Sequence, residues 1–151
     1  MEATLKIWKT NRKIISDLIE NYNIEQLNLT PAGFSNNLVW NLGHIVVAQQ
    51  SLIYRGCGLE ANIPVELMEL YKPGTKPSGQ TTEQQVSVLK DLLLSVIPQT
   101  EADFAAGKFE RYNERTTGTG FNLATVADAF EFNNYHEGMH LGMMLNIRKF
   151  L

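Results

Sequence analysis

The chain has 151 residues, enough for one domain with a sizeable core. Hydrophobic residues make up 44% and charged residues 19%, a composition typical of a globular protein, which argues against global disorder. The net charge of −3 and the isoelectric point near 5.6 argue against the basic surface that nucleic-acid-binding proteins carry.

No segment has the features of a targeting or membrane-spanning sequence. The first residues are charged and lack the apolar run of a signal peptide, and no apolar stretch approaches the ~18–20 residues that span a bilayer. The single cysteine, Cys57, cannot form an internal disulfide, which fits a reducing compartment. We therefore expect one cytoplasmic domain over residues 1–151, with no membrane and no nucleic-acid partner.

The first helical pattern covers about residues 3–21. Side chains recur along one stripe of this segment at steps of three and four residues. The stripe consists of Leu5, Trp8, Arg12, Ile15 and Ile19. Residues 23–34, which contain Pro31, are predicted to form a connection.

The second helical pattern covers about residues 36–55, and we expect Ser35 to cap its first turn. Gly56 follows its last turn, where glycine commonly ends a helix. A long crossing over residues 59–81 is rich in proline and glycine, and residues 65–70 within it are predicted to form a short helical turn.

The third helical pattern begins at Thr81 or Thr82, and Thr82 offers a capping box with Gln85. It resumes beyond Pro98, so we expect a kinked helix at that residue. After an irregular connection over residues 107–121, the fourth and longest pattern covers about residues 122–150. Four helices, long connections and no predicted strand indicate an all-α fold, a four-helix bundle.

The chain contains only three histidines, and they fall on two of these helices. His136 and His140 are four residues apart, so both side chains lie on one face of the fourth helix. His44 lies on the second helix. Three imidazoles that converge would bind a divalent metal with nitrogen–metal distances of about 2.0–2.1 Å for zinc. Histidines on a solvated face, or packed without a metal, remain the alternative interpretation.

Three polar residues next to the histidines are candidate catalytic or supporting groups. Asn41 is one turn before His44, and Asn133 is one turn before His136, so either amide is placed to orient an imidazole. Glu137 is a candidate base only if the helix turns it inward, and we expect it to be outward and solvated.

The string from His136 to His140 also matches H-E-x-x-H, the zinc-protease motif in which glutamate is the general base. Such a protease needs a further ligand, usually downstream, and the eleven residues after His140 contain no histidine, aspartate or glutamate. It also needs a strand against which to bind an extended peptide. We therefore interpret this match as accidental.

The segment Trp40-Asn41-Leu42-Gly43-His44, followed by the pair His136 and His140 on the last helix, resembles the DinB-like superfamily. The resemblance covers essentially the whole chain and implies a four-helix bundle of the DNA-damage-inducible type. It also implies one metal ion held by the three histidines, with open positions for water or substrate. Characterised relatives include thiol-dependent transferases and isomerases that use bacillithiol or mycothiol, homodimers recur, and DNA binding is not implied.

The resemblance predicts a divalent-metal-dependent enzyme with one ion, zinc or nickel, that performs thiol-transferase or hydrolase chemistry on a small molecule. A low-molecular-weight thiol and a homodimer are further expectations. Arg111 and Arg115 lie in the last long connection and are candidates to bind carboxylates of such a thiol, although a solvated loop is the default interpretation.

The alternative is a non-catalytic, stress-response bundle that binds a metal or a small ligand. A cavity with only apolar walls at the histidines would favour that alternative. Two or more convergent arginine, asparagine or tyrosine side chains would favour an enzyme.

Overall fold

The structure, a computed structural model, describes all 151 residues. Six α-helices and one two-stranded ribbon form the fold. They are α1 (Glu2–Ile19), α2 (Ile24–Asn28), α3 (Leu38–Ile53), α4 (Val65–Tyr71), α5 (Glu83–Ala105), β1 (Arg115–Thr116), β2 (Asn122–Leu123) and α6 (Val126–Ile147). Short 3-10 turns at Arg55–Cys57 and Arg148–Phe150 follow α3 and α6.

The four long helices form the bundle that the periodicity predicts. Both α1 and α3 pack against both α5 and α6, so the all-α prediction is confirmed. Every residue of α3 except Ser51 is buried, because this helix is apolar on nearly all sides and lies in the core. Its one histidine, His44, is consequently inside the molecule. None of the helices combines the length and hydropathy needed to cross a bilayer.

The start of α3 differs by two residues from the prediction. Asn37, and not Ser35, caps the helix, because the Asn37 side chain accepts a hydrogen bond from the backbone N–H of Trp40. The same side chain donates to the carbonyl of Asn28 at 2.8 Å, and this second bond ties the helix start to α2. By contrast, the predicted capping box of Thr82 and Gln85 is confirmed at the start of α5.

Two elements differ from the prediction: α2 lies in a predicted connection, and the second strand of the ribbon occupies the predicted start of the fourth helix, which begins at Val126 and not at residue 122. Helix α2 lies within residues 23–34 and has its own capping box, formed by Asn23 and Gln26. The ribbon of β1 and β2 lies where no strand was predicted, because two-residue strands are too short to produce an alternating pattern. Helix α5 continues through Pro98, which is exposed.

Candidate metal centre

The bundle brings all three histidines together. Each offers one ring nitrogen, and these three nitrogens lie within 4.8 Å of one another. The Nε2 atoms of His44 and His136 are 3.2 Å apart, although 92 residues separate them in sequence. The packing of α3 against α6 creates this proximity, because His44 faces the turn of α6 that carries His136 and His140.

A backbone carbonyl determines the orientation of His44. The Nδ1 atom of His44 lies 2.7 Å from the carbonyl oxygen of Tyr71, at the end of α4. A carbonyl only accepts, so Nδ1 carries the proton and Nε2 offers its lone pair to the cluster. The indole ring of Trp40 stacks on the imidazole, with centroids 4.6 Å apart and planes within 10°.

A side-chain amide determines the orientation of His140. The Nδ1 atom of His140 lies 2.8 Å from Oδ1 of Asn41. The amide nitrogen of Asn41 donates to Oδ1 of Asn36 and to the carbonyl of Asn37, at 3.0 and 2.7 Å. Because the amide nitrogen donates to these two acceptors, the atom of Asn41 that faces His140 is the oxygen, which only accepts. Nδ1 of His140 therefore carries the proton, and Nε2 of His140 has a free lone pair.

The three imidazoles are neutral near pH 7. Burial, the charges of His140 and His44 when they are protonated, and the charge of Arg12 together lower the pKa of His136 to about 2. Burial, together with the charge of His44, lowers the pKa of His140 to about 4. Burial also lowers the pKa of His44, with an opposing effect from its bond to Tyr71. Neutral imidazole is the form that binds metals.

The donor set fits a divalent transition metal. Nitrogens in a tetrahedral zinc site lie about 3.3 Å apart, given bonds of about 2.0–2.1 Å, close to the separation between His44 and His136. No hydrogen bond of the protein orients His136 through its other nitrogen, because its Nδ1 atom is buried and has no partner. The three histidines can therefore hold a metal ion.

A cavity of about 220 Å³ opens on the histidines. Its polar wall combines Arg115 with the hydroxyl-bearing Ser51, Thr117 and Thr119. Arg111 is exposed and does not line this cavity, so the structure brings only one of the two predicted arginines to the site.

The family assignment rests on nearly the whole chain. The model of the DinB superfamily matches residues 7–144. The chain belongs to the DinB superfamily. A comparison of this DinB chain with curated proteins found no match.

One expectation about this DinB site is wrong: Glu137 is not outward and solvated. The side chain is 1% exposed and accepts hydrogen bonds from Nε and Nη2 of Arg12, at 3.1 and 2.7 Å. Asn133 and Asn11 also donate to Glu137, at 2.8 and 3.2 Å. Because four donors occupy the two carboxylate oxygens, Glu137 connects α1 to α6. Asn133 donates to Glu137 and forms no hydrogen bond with an imidazole, whereas Asn41 does.

Sequence reasoning missed two groups that support the DinB site. Arg12 lay on the apolar stripe of the first helix, and a charge on a buried stripe was the available signal for a buried partner. The carbonyl of Tyr71 left no signal, because any residue at that position would supply the same backbone oxygen.

Proposed function

We propose that this DinB-superfamily protein is a divalent-metal-dependent enzyme whose ion is held by His44, His136 and His140. The observation that carries the proposal is the convergence of three neutral imidazole nitrogens, within 4.8 Å, at the wall of a cavity. Three histidine ligands with a position open toward substrate are typical of catalytic zinc sites.

The ion we expect is zinc or nickel, because imidazole ligands suit both metals. When bound, it would supply Lewis-acid chemistry, lowering the pKa of a thiol or a water and polarising a carbonyl. The protein's own groups prepare the site: Tyr71 and Asn41 hold two imidazoles with Nε2 deprotonated before any ion arrives.

For the reaction we propose thiol transfer or hydrolysis of a small molecule, with a low-molecular-weight thiol as the expected co-substrate in the first case. The cavity volume of about 220 Å³ supports a small substrate, because the pockets that bind drug-sized ligands have volumes of about 300–1,000 Å³. One arginine and three hydroxyl-bearing residues in its wall favour a substrate that is bound through polar groups.

A second candidate function is metal or ligand binding without catalysis, in a stress-response bundle. The observation that favours it is the lack of a general base. The carboxylate of Glu137 accepts hydrogen bonds from Arg12 and two asparagines. No aspartate or glutamate lines the cavity. Chemistry on a thiol whose pKa an ion has lowered needs no such base, so thiol transfer remains the better supported reaction.

The first test is the metal content of tag-free protein, compared among wild type, His44→Ala, His140→Ala and the control Met143→Ala. Met143 is one turn beyond His140 on the same helix, is 40% exposed and does not line the cavity. We expect about one equivalent of zinc or nickel in wild type and the control, and none in either histidine variant. If wild type binds neither metal after reconstitution, the proposal is wrong.

A second test separates the two candidate functions. Metal-loaded protein is assayed with bacillithiol, mycothiol or cysteine and a small electrophilic aryl halide, and separately with nitrophenyl esters. Turnover that is lost in His44→Ala supports the enzyme. If the protein binds one equivalent of metal but turns over neither a thiol and aryl halide pair nor an ester, the result supports the non-catalytic binding function.

A further inference from the structure

The cavity at the three histidines contains one formally charged side chain. Its thirteen lining residues include no aspartate, glutamate or lysine, and Arg115 supplies the only charge. The remaining lining residues are the three histidines and small, hydroxyl-bearing or apolar residues. In a chain of net charge −3, the one formal charge at this cavity is thus positive, and Arg115 carries it at an exposed position of the wall.

No carboxylate of the chain neutralises Arg115. The structure contains six ion pairs, and Arg115 belongs to none of them. Two carboxylates near it in sequence have other partners, because Glu114 accepts from Asn122 and Asp128 caps the start of α6. The guanidinium donors of Arg115 thus remain available to a ligand.

The ribbon that carries Arg115 is attached to the helix of the histidine pair. Phe121 packs against Phe132 and Tyr135 of α6, with ring centroids 5.3 and 5.0 Å apart. The turn before Phe121 is closed by hydrogen bonds of its backbone N–H and C=O with Thr117. These contacts hold the ribbon against α6, so Arg115 lies in the cavity wall. No other charged side chain of the protein lines the cavity.

We propose that the substrate of this site is a small anion, such as a carboxylate, whose acidic group binds Arg115 while its reacting end lies against the histidines. This inference rests on the proposed function and names the substrate class. Arginine matches a carboxylate with two parallel hydrogen bonds. A cationic ligand would lose part of its hydration in this cavity without meeting a counter-charge.

The test uses three thiols of similar size that differ in charge at the far end: mercaptopropionate, mercaptopropanol and aminopropanethiol. Each is titrated calorimetrically into zinc-loaded wild type, Arg115→Gln and Arg111→Gln. Arg111 is the matched control, because it is exposed like Arg115 and lies four residues earlier but does not line the cavity. We expect wild type and Arg111→Gln to bind the acid about tenfold more tightly than the alcohol, and Arg115→Gln to lose that preference.

The same series is titrated into metal-free protein, where a weaker preference for the acid should persist and again depend on Arg115. Chelation of zinc by the carboxylate of the acid contributes equally to its affinity for all three proteins. The test is therefore the difference between variants in the preference for the acid over the alcohol. If the preference is absent, or survives in Arg115→Gln, the anionic-substrate inference is overturned. A protein that binds neither zinc nor nickel overturns the proposed function instead, and the metal-free titration still decides this inference.

Discussion

Arg12 of α1 and Glu137 of α6 form an ion pair with no solvent exposure, at 2.7 Å between Nη2 and Oε1. The same arginine donates to the carbonyl of Leu93 on α5 at 2.9 Å, so one side chain connects three helices. Glu137 directly follows His136 in the sequence, and the pair therefore fixes the turn of α6 that carries a candidate metal ligand.

We predict that Glu137→Gln lowers the free energy of unfolding by about 3–5 kcal/mol, because it leaves the Arg12 charge buried without a counter-charge. Urea unfolding of metal-free protein measures the change. The matched control is Asp17→Asn, which breaks an exposed pair with Lys13 on α1 and should cost far less. The double variant Arg12→Met with Glu137→Met should recover part of the loss. Equal losses in Glu137→Gln and Asp17→Asn would refute the prediction.

Asn41→Ala should weaken metal binding about 10–100-fold, because its amide oxygen determines which nitrogen of His140 carries the proton. Competition with a chromophoric chelator measures the affinity. Asn146→Ala is the control, since Asn146 is exposed on the same bundle and donates only to its own helix at Gly142. An unchanged affinity in Asn41→Ala would show that the amide does not orient the ligand.

Gly43→Ala should destabilise the protein by about 1–3 kcal/mol, because a Cβ there would lie 2.6 Å from the buried ring of Tyr71. Displacement of Tyr71 also moves the carbonyl that holds His44, so metal affinity should fall as well. Gly142→Ala on α6 is the control: a Cβ there meets nothing within 4 Å, and helix propensity should raise stability by up to about 1 kcal/mol. Thermal and urea unfolding compare the two, and a neutral Gly43→Ala would contradict the close contact.

Asp103 should contribute to stability at neutral pH and lose that contribution in acid. Its ion pair with Lys108, at 2.6 Å, and its bond from the Tyr54 hydroxyl, at 2.7 Å, lower its pKa from 3.8 to about 2 against the effect of burial. The unfolded chain takes up the proton first as the pH falls, so the contribution is complete above about pH 4 and lost by about pH 2.

Urea unfolding of wild type and Asp103→Asn between pH 7 and pH 2 tests this prediction, and the difference between them should shrink across that window. Because the histidines are common to both proteins, their titration cancels in the difference. Asp91→Asn, at an exposed position of the same helix, is the control and should change stability little throughout. A constant difference for Asp103→Asn would contradict the lowered pKa.

Local patterns predicted most of the bundle because each helix carries its own signals. Three- and four-residue periodicity located the four long helices, and the Thr82 capping box marked the start of α5 within one residue. The same logic placed the cap of α3 at Ser35, although Asn37 forms it, because neighbouring polar residues are equally competent until the bond to Asn28 selects one.

By itself the sequence determined the helices, the pairing of His136 and His140 on one face, and the family, since these depend on residues a few positions apart or on motif identity. The family resemblance implied that His44 joins them, and the tertiary structure shows the three together. Only the tertiary structure decided that Arg12 meets Glu137 across 125 positions and that Arg115, and not Arg111, lines the cavity. The physical reason is that contacts between distant segments depend on how whole helices pack, which no local spacing encodes.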